Sequence, residues 1–235
     1  MKTKLSLILL SFLVALPVSC QQVDSKKNKS NTTITPIEVA SSDGFKRAYF
    51  ASGCFWCVEA IYESLNGVEE SISGYSGGHT KNPTYESSNT GKTGHAEAVE
   101  IIYNPEIISF KLLVDVYFGS QNISQVNGQG NDIGSQYRSI IFYQNEKEKN
   151  IIADKIKALY KENPDRKVAA EVMPFQKFWI AEKYHQDYER LHPNNSYIQN
   201  VSIPRLKRFQ NKFPELLKEN TTCGGGWLLM DKENS

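Results

Sequence analysis

The sequence has little net charge, few cysteines and no apolar run long enough to cross a membrane. Lys and Arg total 27 and Asp and Glu total 26, which leaves a formal net charge of +1. Because no long basic stripe is present, a nucleic-acid partner is not expected. The cysteine usage argues against a purely structural disulfide framework. The length of 235 residues suits one ordinary globular domain with terminal extensions.

The first residues of the chain are typical of an export signal. Lys2 and Lys4 precede an apolar run at 5–18, which is too short for a membrane-spanning helix. The run ends in Leu-Pro-Val-Ser-Cys, which resembles a bacterial lipoprotein signal whose cysteine, here Cys20, becomes lipidated. We therefore expect residues 1–19 to be a signal peptide and the protein to be exported, as a periplasmic or membrane-anchored lipoprotein of a bacterium. In the alternative of ordinary cleavage nearby, Cys20 is an incidental thiol.

The rest of the chain divides into a linker, a domain and a tail. Residues 20–45 are rich in Ser, Thr, Asn and Lys without periodicity, which predicts a flexible linker. We expect a catalytic domain at 46–213 and a C-terminal tail at 214–235. Without Cys20, the chain keeps an odd number of cysteines, which indicates at least one working thiol in an exported protein: Cys54, Cys57 and Cys223.

Hydrophobic periodicity predicts alternating strands and helices in the domain. Strands are predicted at 47–51, 68–75, 96–103, 137–143 and 168–173. Helices are predicted to begin near Cys54, after a cap at Ser109, and around Ile152. The order strand, helix, strand, strand, helix, strand is that of ferredoxin-like sheets. We therefore predict an α+β fold, a two-layer sandwich with a ferredoxin-like mixed sheet and long functional loops at 76–94 and 119–136.

Cys54 and Cys57 form a CxxC motif at the predicted start of the first helix. The partial positive charge of a helix N-terminus predicts a stabilised thiolate at Cys54 with a lowered pKa, and Cys57 lies within disulfide reach. Phe55 and Trp56, which lie between the two cysteines, are expected either to line an apolar pocket or to fill the core. The two cysteines could be two of the four ligands of a zinc site, but the four histidines have no matching ligand spacing. No metal is therefore expected. A thioredoxin-like thiol–disulfide oxidoreductase and a binding module with one structural disulfide remain alternatives.

Glu97 is unusual within the predicted strand 96–103, because it shares a face with Val99, Ile101 and Tyr103. A carboxylate on an apolar face is costly when ionised, so its pKa should rise and favour the neutral acid. The alternative is that Glu97 lies at an exposed strand end.

Several short motifs occur in the order seen in one enzyme family. They are GCFW at 53–56, GYSGG at 74–78, NPTY at 82–85, TGHAEAV at 93–99, GND at 130–132, QYRS at 136–139 and AEKYHQDY at 181–188. In these motifs the chain resembles A-type peptide methionine-sulfoxide reductases over roughly residues 46–213, a class that reverses methionine oxidation. One departure is Cys57, where many members have glycine and recycle through cysteines in a Gly-rich tail.

The resemblance implies a role for each matching residue. The family's nucleophile falls on Cys54, its methyl-binding aromatics on Phe55 and Trp56, and its acid on Glu97. The groups around the sulfoxide oxygen and a further pocket tyrosine fall on Tyr85, Tyr137, Asp132 and Tyr188.

The implied reaction is the reduction of methionine S-sulfoxide, free or in proteins, to methionine. The sulfoxide sulfur becomes electrophilic when its oxygen is protonated or hydrogen-bonded, which explains a neutral acid with phenols. Attack by the Cys54 thiolate leaves a sulfenic acid, a second thiol converts it to a disulfide, and an external thioredoxin-like dithiol reduces that. No cofactor is implied. Cys57 is the nearer resolving thiol and Cys223 is the alternative, because an i,i+3 disulfide strains the first helical turn.

Overall fold

The computed structural model describes residues 34–219, and the structural statements below concern this part of the chain. The predicted signal peptide, the predicted lipidation site Cys20 and the tail cysteine Cys223 lie outside it. Within the described residues, no helix combines the length and the apolar character needed to span a membrane.

Eight strands form two sheets in the described chain. In order they are β1 (Lys46–Ala51), β2 (Val68–Ser76), β3 (Ala96–Tyr103), β4 (Gly128–Gln129), β5 (Asp132–Ile133), β6 (Ile140–Tyr143), β7 (Glu171–Pro174) and β8 (Phe178–Ile180). The larger sheet has the order β7-β6-β1-β3-β2-β8, while β4 and β5 pair separately. Its neighbours are antiparallel except β6 and β7, which are parallel, so the sheet is mixed.

Six α-helices accompany the sheets. They are α1 (Phe55–Glu63), α2 (Tyr85–Asn89), α3 (Phe110–Gly119), α4 (Glu146–Glu162), α5 (Tyr188–Leu191) and α6 (Ile203–Lys212). The predicted cap at Ser109 is confirmed, because its side chain accepts a hydrogen bond from the Leu112 N–H. The predicted α+β class with a mixed sheet is confirmed by this arrangement.

The two faces of the sheet carry separate apolar clusters, as alternation along strands requires. In β1, Phe50 belongs to the larger cluster, which includes the buried sides of α1 and α3. Tyr49, its neighbour, belongs to the smaller cluster and stacks on Phe175 with ring centroids 3.8 Å apart. Within β3, Ala98 likewise faces the smaller cluster and Val99 the larger one. Glu97 therefore lies on the face covered by α1.

The two predicted long loops contain short elements that the periodicity did not reveal. Residues 76–94 include α2, and residues 119–136 include the β4–β5 hairpin. The strand predicted from Tyr137 begins only at Ile140, because the Tyr137 N–H bonds to the Gly134 carbonyl and closes a 3₁₀ turn at Ser135–Tyr137. The last predicted strand is shifted to β7, and β8 was not predicted.

Backbone contacts continue on both sides of the predicted domain bounds at 46 and 213. The Ile37 N–H donates to the Phe175 carbonyl at 2.8 Å, and the Val39 N–H donates to Gln144 Oε1 at 2.9 Å. After α6, the Lys218 N–H donates to the Ser64 carbonyl at 2.9 Å. Segments next to these bounds therefore pack on the domain, and the bounds themselves stay predictions.

Candidate active site

Cys54 occupies the N-cap position of α1, directly after the turn that follows β1. Gly53 in this turn has φ +82°, and a Cβ there would lie 2.6 Å from the Gln129 Cβ, so the turn requires glycine. The Cys54 side chain is 5 % exposed and Cys57, one turn on, is 1 % exposed; both are free thiols. The strand-to-helix turn thus places two buried sulfurs side by side at the start of α1.

The pKa values of the two thiols are shifted in opposite directions, which differs from the prediction. Burial, followed by the neighbouring Cys57 sulfur, raises the pKa of the Cys54 thiol, so the predicted lowering at Cys54 is wrong. The Cys54 thiol as hydrogen-bond donor, and then Arg205, lower the pKa of Cys57 to about 6. The two thiols therefore titrate as a pair, and after loss of one proton the remaining proton is held between the two sulfurs.

Glu97 lies against the start of α1, where its Oε2 accepts a hydrogen bond from the Phe55 N–H at 3.0 Å. The residue is 2 % exposed, so the alternative of an exposed strand end is wrong. Burial raises the pKa of Glu97 to about 8, and the raised pKa expected from the strand pattern is confirmed. At neutral pH the carboxyl is mostly protonated and can donate a proton near Cys54.

Aromatic rings surround the first turn of α1. Phe55 is buried, and its ring centroid lies 6.4 Å from that of Tyr85. Trp56 is half-buried and stacks on Tyr188 at 3.8 Å, with the ring planes 10° apart. The structure therefore brings Tyr188, more than a hundred residues away in sequence, to the aromatic pair of the CxxC motif. These rings offer an apolar surface of the kind that holds a methyl group.

The remaining predicted residues lie in or directly beside the two long loops at 76–94 and 119–136. Tyr85 begins α2 and is fixed by its N–H, which donates to Glu182 Oε1 at 2.9 Å. Burial, followed by the charge of Glu97, raises the pKa of Tyr137. The phenol of Tyr137 therefore lies within the electrostatic influence of Glu97. Burial also raises the pKa of Asp132. Burial raises the pKa of Tyr85 as well. The phenols of Tyr85 and Tyr137 therefore stay neutral and can donate hydrogen bonds to an oxygen bound between them.

Two further residues were not found by sequence reasoning. The Tyr197 hydroxyl donates to Asp132 Oδ2 at 2.7 Å and lies 3.8 Å from the Cys57 sulfur. The His185 Nδ1 accepts a hydrogen bond from the Trp56 indole at 3.1 Å. His185 stands inside the AEKYHQDY motif, which was a usable signal, whereas Tyr197 lies in no motif. The Tyr197–Cys57 and Trp56–His185 contacts join residues more than a hundred positions apart, and the Tyr197–Asp132 contact joins residues 65 positions apart. Hydrophobic periodicity cannot predict contacts over such separations.

A cleft of about 650 Å³ opens beside Cys57, between the loop after α3 and helix α6. Its lining includes Asp132 and four cationic side chains: Arg166, Arg205, Arg208 and Lys212. The cleft adjoins the site on the side of Cys57 rather than on the side of the aromatic rings.

One group of carboxylates has spacing compatible with a cation. Glu59, Glu63 and Asp187 place carboxylate oxygens within 4.8 Å of one another. Both oxygens of Glu59 already accept hydrogen bonds, one from the Ser73 hydroxyl and one from the Asp187 N–H. These bonds tie α1 to β2 and to the turn before α5, so we assign the group a structural role.

Comparisons with known proteins agree with this geometry. The sequence profile of the peptide methionine sulfoxide reductase family matches residues 46–217. The enzyme MsrA of Pasteurella multocida is 43 % identical over 173 residues, which cover 74 % of this chain and 99 % of the relative. MsrA of Sulfolobus acidocaldarius is 44 % identical over 168 residues, covering 72 % and 95 %. The crystal structure of reduced Mxr1 from Saccharomyces cerevisiae superposes with a TM-score of 0.61 at 30 % identity, covering 69 % of this chain and 93 % of Mxr1.

The profile match covers most of the chain, and the relatives align over almost their whole length. Most residues brought together around Cys54 lie in the matching motifs: Phe55, Trp56, Tyr85, Glu97, Tyr137 and Tyr188. From the sequence match and the shared architecture together, the chain belongs to the peptide methionine sulfoxide reductase family.

Proposed function

We propose that this enzyme reduces methionine S-sulfoxide, free and in proteins, to methionine, with Cys54 as the nucleophile. The observation that carries the proposal is the neutral, buried carboxyl of Glu97, bonded to the backbone beside Cys54. A thiolate attacks a sulfoxide sulfur only when the oxygen is protonated or strongly hydrogen-bonded. A proton donor held next to a nucleophilic sulfur is the arrangement that this reaction needs.

Each of the surrounding residues has its own role in the proposed reaction. Phe55 and Trp56 bind the methyl group, and stacking on Tyr188 keeps the indole in place. Glu97 transfers its proton to the sulfoxide oxygen, while Tyr85 and Tyr137 donate hydrogen bonds to the same oxygen. Asp132, held by Tyr197, orients the substrate from the opposite loop. Two electrons pass from Cys54 to the methionine sulfur, the oxygen moves to Cys54 as a sulfenic acid, and methionine leaves.

Cys57 resolves the sulfenic acid. Its sulfur lies beside that of Cys54, and the positive charge of Arg205 helps to lower the pKa of its thiol. The Cys57 sulfur attacks the Cys54 sulfur to form the disulfide, and the proton of the Cys57 thiol leaves with the sulfenic hydroxyl as water. A thioredoxin-like dithiol protein then reduces the disulfide, so the cycle needs no organic cofactor or metal.

Cys223 is the alternative resolving thiol, and the described chain ends close enough for it. The Lys218 N–H is bonded to Ser64 at the end of α1, and ten residues along the helix axis separate Ser64 from Cys54, or roughly 15 Å. Five extended residues beyond Lys218 span at most roughly 17 Å. Reach alone therefore allows either thiol, and the direct contact of the sulfur pair favours Cys57.

Peptide mapping after one turnover tests this assignment. Protein incubated with methionine S-sulfoxide and no reductant is expected to yield one methionine per chain and a Cys54–Cys57 disulfide. Cys223→Ser is the matched control and is expected to give the same product and the same disulfide. A Cys54–Cys223 linkage in the wild-type protein would contradict Cys57 as the resolving thiol, and absence of methionine would contradict the proposed function.

The thioredoxin-like alternative is wrong for this chain. It explains the CxxC motif but gives no use to the acid and the phenols assembled around Cys54. The family match covers the whole described domain rather than the motif alone.

For the fold, we propose that the central part of the sheet is ferredoxin-like. Strands β6-β1-β3-β2 are neighbours in this order and alternate in direction, and helices α1 and α3 connect them in the expected sequence. An experimental structure with another strand order would contradict the assignment.

We also propose that the protein is exported and held at a bacterial membrane surface by a lipid on Cys20. The support is the charged start, the short apolar run and the cysteine that ends it. In a bacterial host fed radiolabelled palmitate, the wild-type protein is expected to carry the label and to sediment with membranes. Cys20→Ser is expected to lose the label, and an unlabelled wild-type protein would disprove lipidation.

A further inference from the structure

Arg205 is a buried cation of helix α6 that lies behind the cysteine pair. It is 9 % exposed, and its guanidinium donates three hydrogen bonds. Nη1 donates to the Ser52 carbonyl at 3.0 Å, Nη2 to the Ser52 hydroxyl at 2.9 Å, and Nε to the Ser120 carbonyl at 3.2 Å. All three acceptors are neutral, so these bonds hold the guanidinium without compensating its charge.

The ion pairs of the described chain do not include Arg205. Within residues 34–219 no carboxylate oxygen lies within 4.0 Å of its guanidinium nitrogens. A buried charge is costly unless an opposite charge or strong hydrogen bonds offset the loss of water. An anion that faces Arg205 without touching it would supply this compensation.

The cysteine pair forms such an anion, beside the carboxyl groups of Asp132 and Glu189, on which the charge of Arg205 also acts. Ser52, which Arg205 holds, is two residues before Cys54, and Nη1 lies 3.4 Å from the position of a Cβ on Gly53. The positive charge of Arg205 contributes to the low pKa of Cys57. The titratable and charged groups around the pair and the cleft are Cys54, Cys57, Tyr62, Glu97, Tyr117, Asp132, Arg166, Glu189, Tyr197, Arg208 and Lys212.

We infer that Arg205 is a positioning residue: it clamps the Ser52–Gly53 turn that presents Cys54 and supplies the positive charge that keeps one sulfur anion in the pair. The inference rests on the proposed function, because it assigns this anion to the attacking and resolving thiols. Arginine suits the role because its planar fork can make several directed bonds while remaining charged. Lysine would retain the charge but not the fork.

The test is a titration of the thiolate in the absence of substrate. The ultraviolet absorbance of the thiolate is followed against pH in the wild type, Arg205→Met, Arg205→Lys and the control Arg208→Met. Arg208 is an exposed residue of the same helix and lines the same cleft, so it controls for loss of one charge there. For Arg205→Met the midpoint is expected to rise by about one pH unit or more, about a tenfold loss of thiolate below the midpoint.

The charge and the hydrogen bonds are separated by the remaining variants. Arg205→Lys is expected to keep the midpoint near that of the wild type, and Arg208→Met is expected to leave it unchanged. An unchanged midpoint in folded Arg205→Met, or an equal shift in Arg208→Met, would overturn the inference. If Arg205→Met does not fold, Arg205→Lys decides, because a midpoint typical of a free cysteine in that variant would equally overturn it.

The titration is independent of the proposed reaction. If the midpoint shifts in Arg205→Met as expected but the wild-type protein forms no methionine, the proposed function is contradicted and the electrostatic role of Arg205 is supported. Wild-type protein that forms methionine, with an unshifted midpoint in Arg205→Met, would contradict only the inference.

Discussion

Cys54→Ser is expected to abolish turnover, with a fall in kcat/KM of at least roughly 10⁴-fold, the scale on which removal of a nucleophile acts in enzymes. A hydroxyl at this position is not ionised at neutral pH and cannot accept the sulfoxide oxygen as a sulfenic acid. Methionine formation is measured by chromatography with an external dithiol present. Serine has nearly the same shape as cysteine and is slightly smaller, so it fits the buried position of Cys54 and the variant is expected to fold.

Cys57→Ser is the informative comparison for this variant. It retains the nucleophile, so it is expected to form methionine once per chain and to leave a sulfenic acid that a dimedone probe traps, unless Cys223 resolves it. Measurable catalytic reduction by Cys54→Ser would show that another group attacks the sulfoxide, and the assignment of the nucleophile would then fail.

Glu97→Gln is expected to slow the chemical step by roughly 10²–10⁴-fold, the usual contribution of a general acid. Glutamine keeps the shape and the hydrogen bond from the Phe55 N–H but has no proton to transfer. The measurement is the single-turnover rate of methionine formation. Because burial raises the pKa of Glu97 to about 8, the wild-type rate is expected to fall above that pH. The variant is expected to lack this limb of the profile.

Glu100→Gln is the matched control, since Glu100 lies in the same strand with its carboxylate bonded to the Tyr49 hydroxyl on the other face. Its single-turnover rate and pH profile are expected to remain close to those of the wild type. A Glu97→Gln rate near that of the wild type would remove Glu97 from the role of acid, whatever the control shows.

Stability measurements provide a second readout for Glu97. The unfolded chain releases this proton near pH 4.5, whereas the folded chain retains it up to about pH 8. The stability that comes from the raised pKa is therefore fully present below about pH 4.5 and is lost as the pH rises towards 8. Relative to Glu97→Gln, the wild type is expected to lose free energy of unfolding across this window in urea titrations.

Local patterns were sufficient for the central strands and for the start of α1. Alternation placed β3 at the predicted residues, and Ser109 capped α3 as expected, because both signals act over a few neighbouring residues. The strand predicted from Tyr137 was wrong at its start, because a glycine with φ +145° allowed a turn there instead. The short strand β8 escaped detection, since three residues are too few for a periodic signal.

Several features of the candidate site follow from the sequence by itself. The CxxC motif after a strand, the acid on the apolar face of β3 and the order of the motifs together indicate the chemistry and the family. These signals come from residues close together in the chain and from the order of short motifs, and the sequence shows both directly.

Other features were decided only by the tertiary structure. Burial reversed the expected pKa of Cys54, because the desolvation of its sulfur depends on elements packed around α1 rather than on the helix end alone. Tyr197 contacts Asp132 and Cys57, and Arg205 donates a hydrogen bond to Ser52. Both depend on the packing of α6 and the segment before it against the start of α1. Electrostatic fields and hydrogen bonds act through space, so they become definite only when distant segments are in contact.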